Sequence, residues 1–131
     1  MFLDTSGLLC SLDRGDRNHD SAIEFLAIAD WRLTHNLVLT ELVALATARG
    51  LSRKRTLQFT NDLRDSPITD VVFVNEEIHE QAVDLLEHRL DKDWSLCDAV
   101  SFLVMREWRM RDALTTDHHF EQAGYHRLLI P

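Results

Sequence analysis

Three acidic residues of this sequence follow short apolar segments, and a fourth lies at the start of one. Asp4 comes after Phe2-Leu3, Glu41 after Leu37-Val38-Leu39-Thr40, and Asp117 after Ala113-Leu114-Thr115-Thr116. Asp98 falls in the first turn of the apolar stretch Ser95 to Met105. In an open α/β sheet the carboxyl ends of parallel strands share one edge, and sites form in the crevice there. Carboxylates gathered at one edge repel each other unless a counter-charge is present. No lysine or arginine accompanies each acid locally, so a bound hard cation is the physical solution. Oxygen-only donors suit Mg²⁺ or Mn²⁺. A cation in such a cage polarises a phosphoryl group, lowers the pKa of a water and stabilises an oxyanion leaving group.

Each acid also has a local role open to it. Ser95 and Asp98 have the spacing of a capping box. Asp117 can cap the turn containing Gln122, and Glu41 can complement a helix dipole from the first turn. Asp4 can bind the amides of its own turn. Capping explains these acids one at a time, but not their recurrence after successive apolar segments.

The elements that must position them are short. Phe2-Leu3 predicts a strand, and Thr5-Ser6-Gly7 a turn before Leu8-Leu9-Cys10. Asp20 or Ser21 can cap a helix carrying Ala22, Ile23, Phe25, Leu26 and Ala29. Asn36 to Leu39 reads as a buried strand, with Thr40 capping a helix that Gly50 stops. A polar helix is expected from about Ser52 to Leu63, with Pro67 as a boundary. Val71 to Val74 reads as a β-branched strand and Glu76 to Leu90 as an amphipathic helix. Ser95 to Met105 reads as a central buried helix that includes Phe102. Ala113 to Thr115 and Arg127 to Ile130 are the last expected strands. Alternating helices and short apolar strands imply a mostly parallel sheet covered on both faces.

The 131 residues fit one domain, 1–131. Hydrophobic types at 45% and charged types at 27% describe a globular chain. No apolar run approaches the roughly 20 residues of a membrane span, and the amino terminus lacks the features of a secretory signal. Cys10 and Cys97 suggest no disulfide framework and read as small core residues, which points to a reducing cytoplasm. With 14 basic against 22 acidic residues, the formal charge of −8 disfavours a broad basic nucleic-acid surface. It leaves room for a nuclease whose excess charge sits on metal ligands. A Walker A loop is absent.

The segments Phe2-Leu-Asp-Thr-Ser6, Thr40-Glu-Leu-Val43, Trp94-Ser-Leu-Cys-Asp-Ala-Val-Ser-Phe102 and Leu114-Thr-Thr-Asp-His-His-Phe-Glu-Gln-Ala-Gly124 resemble a PIN domain. They look most like the toxin ribonucleases of the VapC type. The resemblance implies a three-layer α/β/α sandwich around a short, mostly parallel sheet. It also implies an RNA substrate, hydrolysis supported by one or two Mg²⁺ or Mn²⁺ ions, a homodimer, and a protein antitoxin that plugs the acidic groove, with larger toxin–antitoxin assemblies possible. The motif acids are Asp4, Glu41, Asp98 and Asp117. Many relatives carry a further acid two positions beyond the last of these; here that position is His119, while His118 reads as a solvent or helix-end residue.

On this reading Asp4, Asp98 and Asp117 hold the principal ion. Glu41 positions an attacking water or a second ion and can take the water's proton. Ser6, Ser95 and Thr115 can orient the ligands. Arg14 and Arg17 can contact phosphates at the groove edge, and Arg53, Lys54 and Arg55 can do so across a dimer. Trp31, Trp94 and Trp108 read as core or interface residues, and Gln122 and Tyr125 as structural. The alternatives are a PIN nuclease acting on DNA or housekeeping RNA, and a catalytically weak protein-interaction module.

Overall fold

The computed structural model describes residues 1–130. Five strands form one sheet: β1 (Phe2–Leu3), β2 (Arg32–His35), β3 (Thr69–Val72), β4 (Asp112–Leu114) and β5 (His126–Arg127). Their order is β3-β2-β1-β4-β5, and every pairing is parallel. Seven helices connect them: α1 (Thr5–Leu12), α2 (His19–Ile28), α3 (Asn36–Ala48), α4 (Arg53–Asp65), α5 (Glu76–Glu87), α6 (Leu96–Glu107) and α7 (His119–Gln122).

The order of the strands places the site. From β1 the chain steps outward to β2 and then β3, through α1 to α4. It then crosses back through α5 and α6 to β4, on the other side of β1, and continues through α7 to β5. Parallel crossovers are right-handed, so connections running in opposite directions lie on opposite faces. The helix packing agrees: α1 lies against α2 and α3, and α3 against α4, while α6 lies against α5 and α7. The expected three layers follow. Between β1 and β4 the winding reverses, and the crevice at their carboxyl ends is where such sheets bind ligands.

The core is contiguous from the centre of the sheet into both helix layers. Phe2, Leu3, Leu33, Ala113 and Leu114 are fully buried in the strands. Leu8, Val38 and Leu42 cover one face, and Val100, Met105 and Phe120 are buried beside the other. From Asp98 to Met105, α6 is buried at every position, including the polar Asp98 and Ser101, in keeping with its mostly apolar sequence.

Two elements differ from expectation. Thr5-Ser6-Gly7 is not a turn but the first turn of α1. A methyl group at Gly7 would collide with the backbone carbonyl of Leu114, so only glycine lets α1 lie this close to the end of β4. Asn36 to Leu39 is not a strand but the start of α3; the strand lies one step earlier, at Arg32–His35. His35, not Thr40, caps this helix, accepting from the Val38 amide at 3.3 Å. Thr34 and His35 are polar yet fully buried, so hydropathy concealed the strand. Smaller shifts affect β3, which starts at Thr69, α5, which ends at Glu87, and β5, which is His126–Arg127. The helix expected from Asp20 or Ser21 starts at His19 after Asn18. Gly50, at φ 74°, ends α3 as expected, with Leu51 N donating back to Ala46 O.

Candidate active site

Asp4, Ser6, Glu41, Asp98 and Asp117 line one pocket of about 360 Å³. Four different elements deliver the acids. Asp4 directly follows β1 and precedes α1, Glu41 lies in the second turn of α3, Asp98 in the first turn of α6, and Asp117 between β4 and α7. The strand-end argument therefore holds for Asp4 and Asp117. Glu41 reaches the pocket from a helix, beyond the first turn, so a role with the helix dipole is ruled out.

Asp4 is buried, and its carboxylate makes no capping bond to α1. Its Oδ2 instead accepts from Thr115 Oγ1 at 2.7 Å and Ser6 Oγ at 3.0 Å. The same hydroxyls accept from backbone amides, Ser6 Oγ from Thr116 N and Thr115 Oγ1 from Asp117 N, each at 3.0 Å. Ser6 and Thr115 thus tie the start of α1 to the chain leaving β4. Burial raises the Asp4 carboxyl to about 6; the two hydroxyls lower it and the nearby Asp98 raises it, both by less.

Asp98 fulfils its local role as well. Ser95 Oγ accepts from Asp98 N, and Asp98 Oδ2 accepts from Ser95 N, both at 3.0 Å, which completes a capping box. His119 Nδ1 lies 3.0 Å from the same Oδ2. Both partners sit on one oxygen, which leaves Oδ1 for another. Asp117 Oδ1 accepts from His119 N at 2.9 Å, and His119 Nδ1 lies 3.3 Å from Asp117 Oδ2. His119 therefore stands between two acids. Ser95 acts through its cap and does not line the pocket.

Among the described residues, no lysine or arginine forms an ion pair with any of the four acids. Arg49 lines the pocket, but its guanidinium pairs with Asp13 at 3.2 Å and Asp16 at 3.4 Å. Arg17 also lines the pocket; Arg14 does not. The donor set fits a divalent cation on three grounds. It is carboxylate oxygen, its most buried member carries an unneutralised charge, and Thr5 Oγ1, on the same pocket, is buried without a hydrogen-bond partner.

Cys97 is half-buried beside this cluster rather than a core residue. Burial, and then the Glu41, Asp4 and Asp98 carboxylates, push its thiol far up, so it stays protonated and unreactive. Cys10 is buried as expected, and its thiol is raised to about 11, chiefly by burial.

Sequence reasoning missed His35. Its Nδ1 accepts from Val38 N, which leaves Nε2–H to donate to Ser101 Oγ at 2.8 Å. Ser101 Oγ donates to Cys97 O at 2.9 Å. This chain fastens the start of α3, which carries Glu41, to the first turns of α6, which carry Asp98. The sequence offered little signal, since His35 lies between the polar Thr34 and Asn36 and only the fold shows that it is buried. Gln122 and Tyr125 are structural as expected: Gln122 Oε1 accepts from Trp94 Nε1 at 2.9 Å and Tyr125 donates to Phe102 O at 3.0 Å. Trp94 is buried edge-on against Phe102, and Trp31 packs on the partly exposed Trp108.

With this geometry in view, residues 1–124 match the family model of the PIN domain. The chain belongs to the PIN domain family. It is 30% identical over 126 residues, 95% of each chain, to the 23S rRNA-specific endonuclease VapC20 of two Mycobacterium tuberculosis strains. The crystal structure of M. tuberculosis VapC20, described as a sarcin-ricin loop cleaving toxin, superposes with a TM-score of 0.87 over 99% of this PIN domain and 98% of that chain. A toxin–antitoxin complex from Klebsiella pneumoniae (TM-score 0.67, 18% identity, 99% and 98% covered) shares the fold. So does FitAcB from Neisseria gonorrhoeae (0.64, 17%, 95% and 93%). Among the described residues no helix is long and apolar enough to cross a membrane.

Proposed function

We propose that this PIN domain is a divalent-cation-dependent endoribonuclease, the toxin of a toxin–antitoxin pair, with Asp4, Glu41, Asp98 and Asp117 as its catalytic residues. The observation that carries the reading is the convergence of these acids, without an ion-paired lysine or arginine, at the point where the sheet reverses its winding. The kinship with VapC20 supports RNA as the substrate class, and ribosomal RNA as the first substrate to examine.

Asp4, Asp98 and Asp117 would hold Mg²⁺ or Mn²⁺. When bound, such an ion supplies Lewis-acid polarisation of the phosphoryl group and a water of lowered pKa. Ser6 and Thr115 fix the Asp4 carboxylate, and the Ser95 cap with the His119 ring fixes Asp98. Glu41 orients the attacking water and takes its proton. Arg17, on the pocket wall, draws the RNA backbone into a groove that would otherwise repel it. The partners proposed are a protein antitoxin and a second copy of the chain. Leu45, 40% exposed on the pocket wall, offers the antitoxin an apolar contact. A cytoplasmic location accords with these roles.

The test is cleavage of total RNA by the purified chain, freed of antitoxin, with Mg²⁺ or Mn²⁺ and with mapping of the new ends. Cleavage should fall at least tenfold in folded Asp4→Asn and Asp98→Asn. Equal cleavage by these variants, or in chelator, would defeat the enzymatic reading, and cleavage of DNA alone would replace the substrate.

A further inference from the structure

We propose that Asp117, His118 and His119 form a binding site for a borderline transition cation such as Zn²⁺, at the rim of the carboxylate pocket. One ligating atom from each residue lies within 4.8 Å of the other two. The two rings stand side by side, centroids 4.6 Å apart, although they belong to consecutive residues. His118 precedes the four-residue α7 while His119 opens it.

The spacing suits a shared ion better than direct bonding. His119 Nδ1 is 3.3 Å from Asp117 Oδ2, and His118 Nδ1 is 3.6 Å from Asp117 Oδ1. The second distance is too long for a hydrogen bond. Donors about 2.0–2.1 Å from a tetrahedral ion stand roughly 3.3 Å from one another; the His119 separation matches this, and the His118 separation, measured to the other carboxylate oxygen, is close to it. The scaffold is in place: Thr115 Oγ1 receives Asp117 N, and Asp117 Oδ1 receives His119 N. His118 is exposed, which leaves ion entry open.

Chemistry separates this site from its neighbour. Two imidazoles and a carboxylate select Zn²⁺, Co²⁺ or Ni²⁺, whereas carboxylates alone suit Mg²⁺ or Mn²⁺. The ion would draw on Asp117 and take His119 Nδ1 away from Asp98 Oδ2, so its occupancy would disturb two acids of the pocket. The binding itself does not rest on the nuclease reading, since a chain without activity retains these ligands.

Isothermal titration of the full chain with Zn²⁺ at neutral pH tests the proposal in an Asp4→Asn background, where the carboxylate pocket is weakened. One Zn²⁺ should bind per chain, and adding His118→Ala should weaken it at least tenfold. The ¹⁵N resonances of the His118 and His119 rings should move on Zn²⁺ addition, and those of the exposed His118 ring should stay put with Mg²⁺. Saturable Zn²⁺ binding that survives His118→Ala, or no Zn²⁺ binding in Asp4→Asn, overturns the site. Magnesium binding by the wild type that is untouched by Asp4→Asn would count against the nuclease centre and leave this inference standing.

Discussion

Two buried ionisable groups sit at the same level of adjacent strands and are treated in opposite ways. Asp4 follows β1 and His35 ends β2. His35 is fully buried, and both ring nitrogens have a partner, in a chain that runs from Val38 N to Cys97 O. Burial lowers its pKa to about 4, so it is neutral and its hydrogen bonds are complete. Asp4 also has two hydrogen bonds, both on one oxygen, yet burial holds its carboxyl at about 6 and other carboxylates surround it. A buried polar group that is neutral and fully paired acts as a strut. One whose hydrogen bonds leave its charge unbalanced is a place for a ligand.

The largest expected effect breaks the strut. His35→Ala removes a packed ring, the bond Ser101 accepts and the partner of the Val38 amide, for a loss of about 3 kcal/mol. Denaturant unfolding measures it. Asp4→Asn should do the reverse in chelator at pH 8, where the folded protein holds a carboxylate against its burial. A rise from 3.8 to about 6 corresponds to about 3 kcal/mol at most, and the amide should recover part of that.

The pH dependence sharpens the contrast, since the two groups have opposite signs. The stability Asp4 contributes in metal-free protein is fully present below about 4 and lost as pH rises through about 6. That of His35 is present above its ordinary 6.5 and lost as pH falls through about 4. Between these limits the two slopes oppose. Asp4→Asn should therefore lose stability more steeply than the wild type on acidification from pH 6.5 to 4. His35→Gln should instead gain. Matching slopes in all three proteins would show that the groups are not buried as described.

A smaller effect concerns the cation. Mn²⁺ should raise the thermal midpoint of the wild type by relieving carboxylate repulsion, and the rise should shrink in Asp98→Asn. Smallest is Ser6→Ala, which removes one hydrogen bond to Asp4 and the partner of the Thr116 amide. The loss should be about 1 kcal/mol in denaturant unfolding.

How much of this was legible depended on what each residue's role required. Asp4 and Asp117 were placed correctly because strand ends in a parallel sheet share an edge. Asp98 was placed because the start of a buried helix could enter the same crevice, and the capping box read as its alternative is present as well. Glu41 was found for the wrong reason. Leu37-Val38-Leu39 fits a short strand or a buried helix equally well, and the deciding fact is a tertiary one, the His35 ring capping Val38 N. Gly7 was read as a turn residue because its function, close approach to Leu114, involves a partner more than 100 positions away. Thr34 was invisible as a strand residue because its polarity is satisfied by Leu3 O at 2.9 Å in the folded sheet.

The central claim is that Asp4, Asp98 and Asp117, with Glu41 beside them, form a centre for a divalent ion. Anomalous diffraction from a crystal soaked in Mn²⁺ tests it most directly. A manganese peak bounded by the carboxylates of Asp4, Asp98 and Asp117 is predicted. A crystal with no peak in that pocket, its acids instead ion-paired with Arg17 or Arg49, would contradict it.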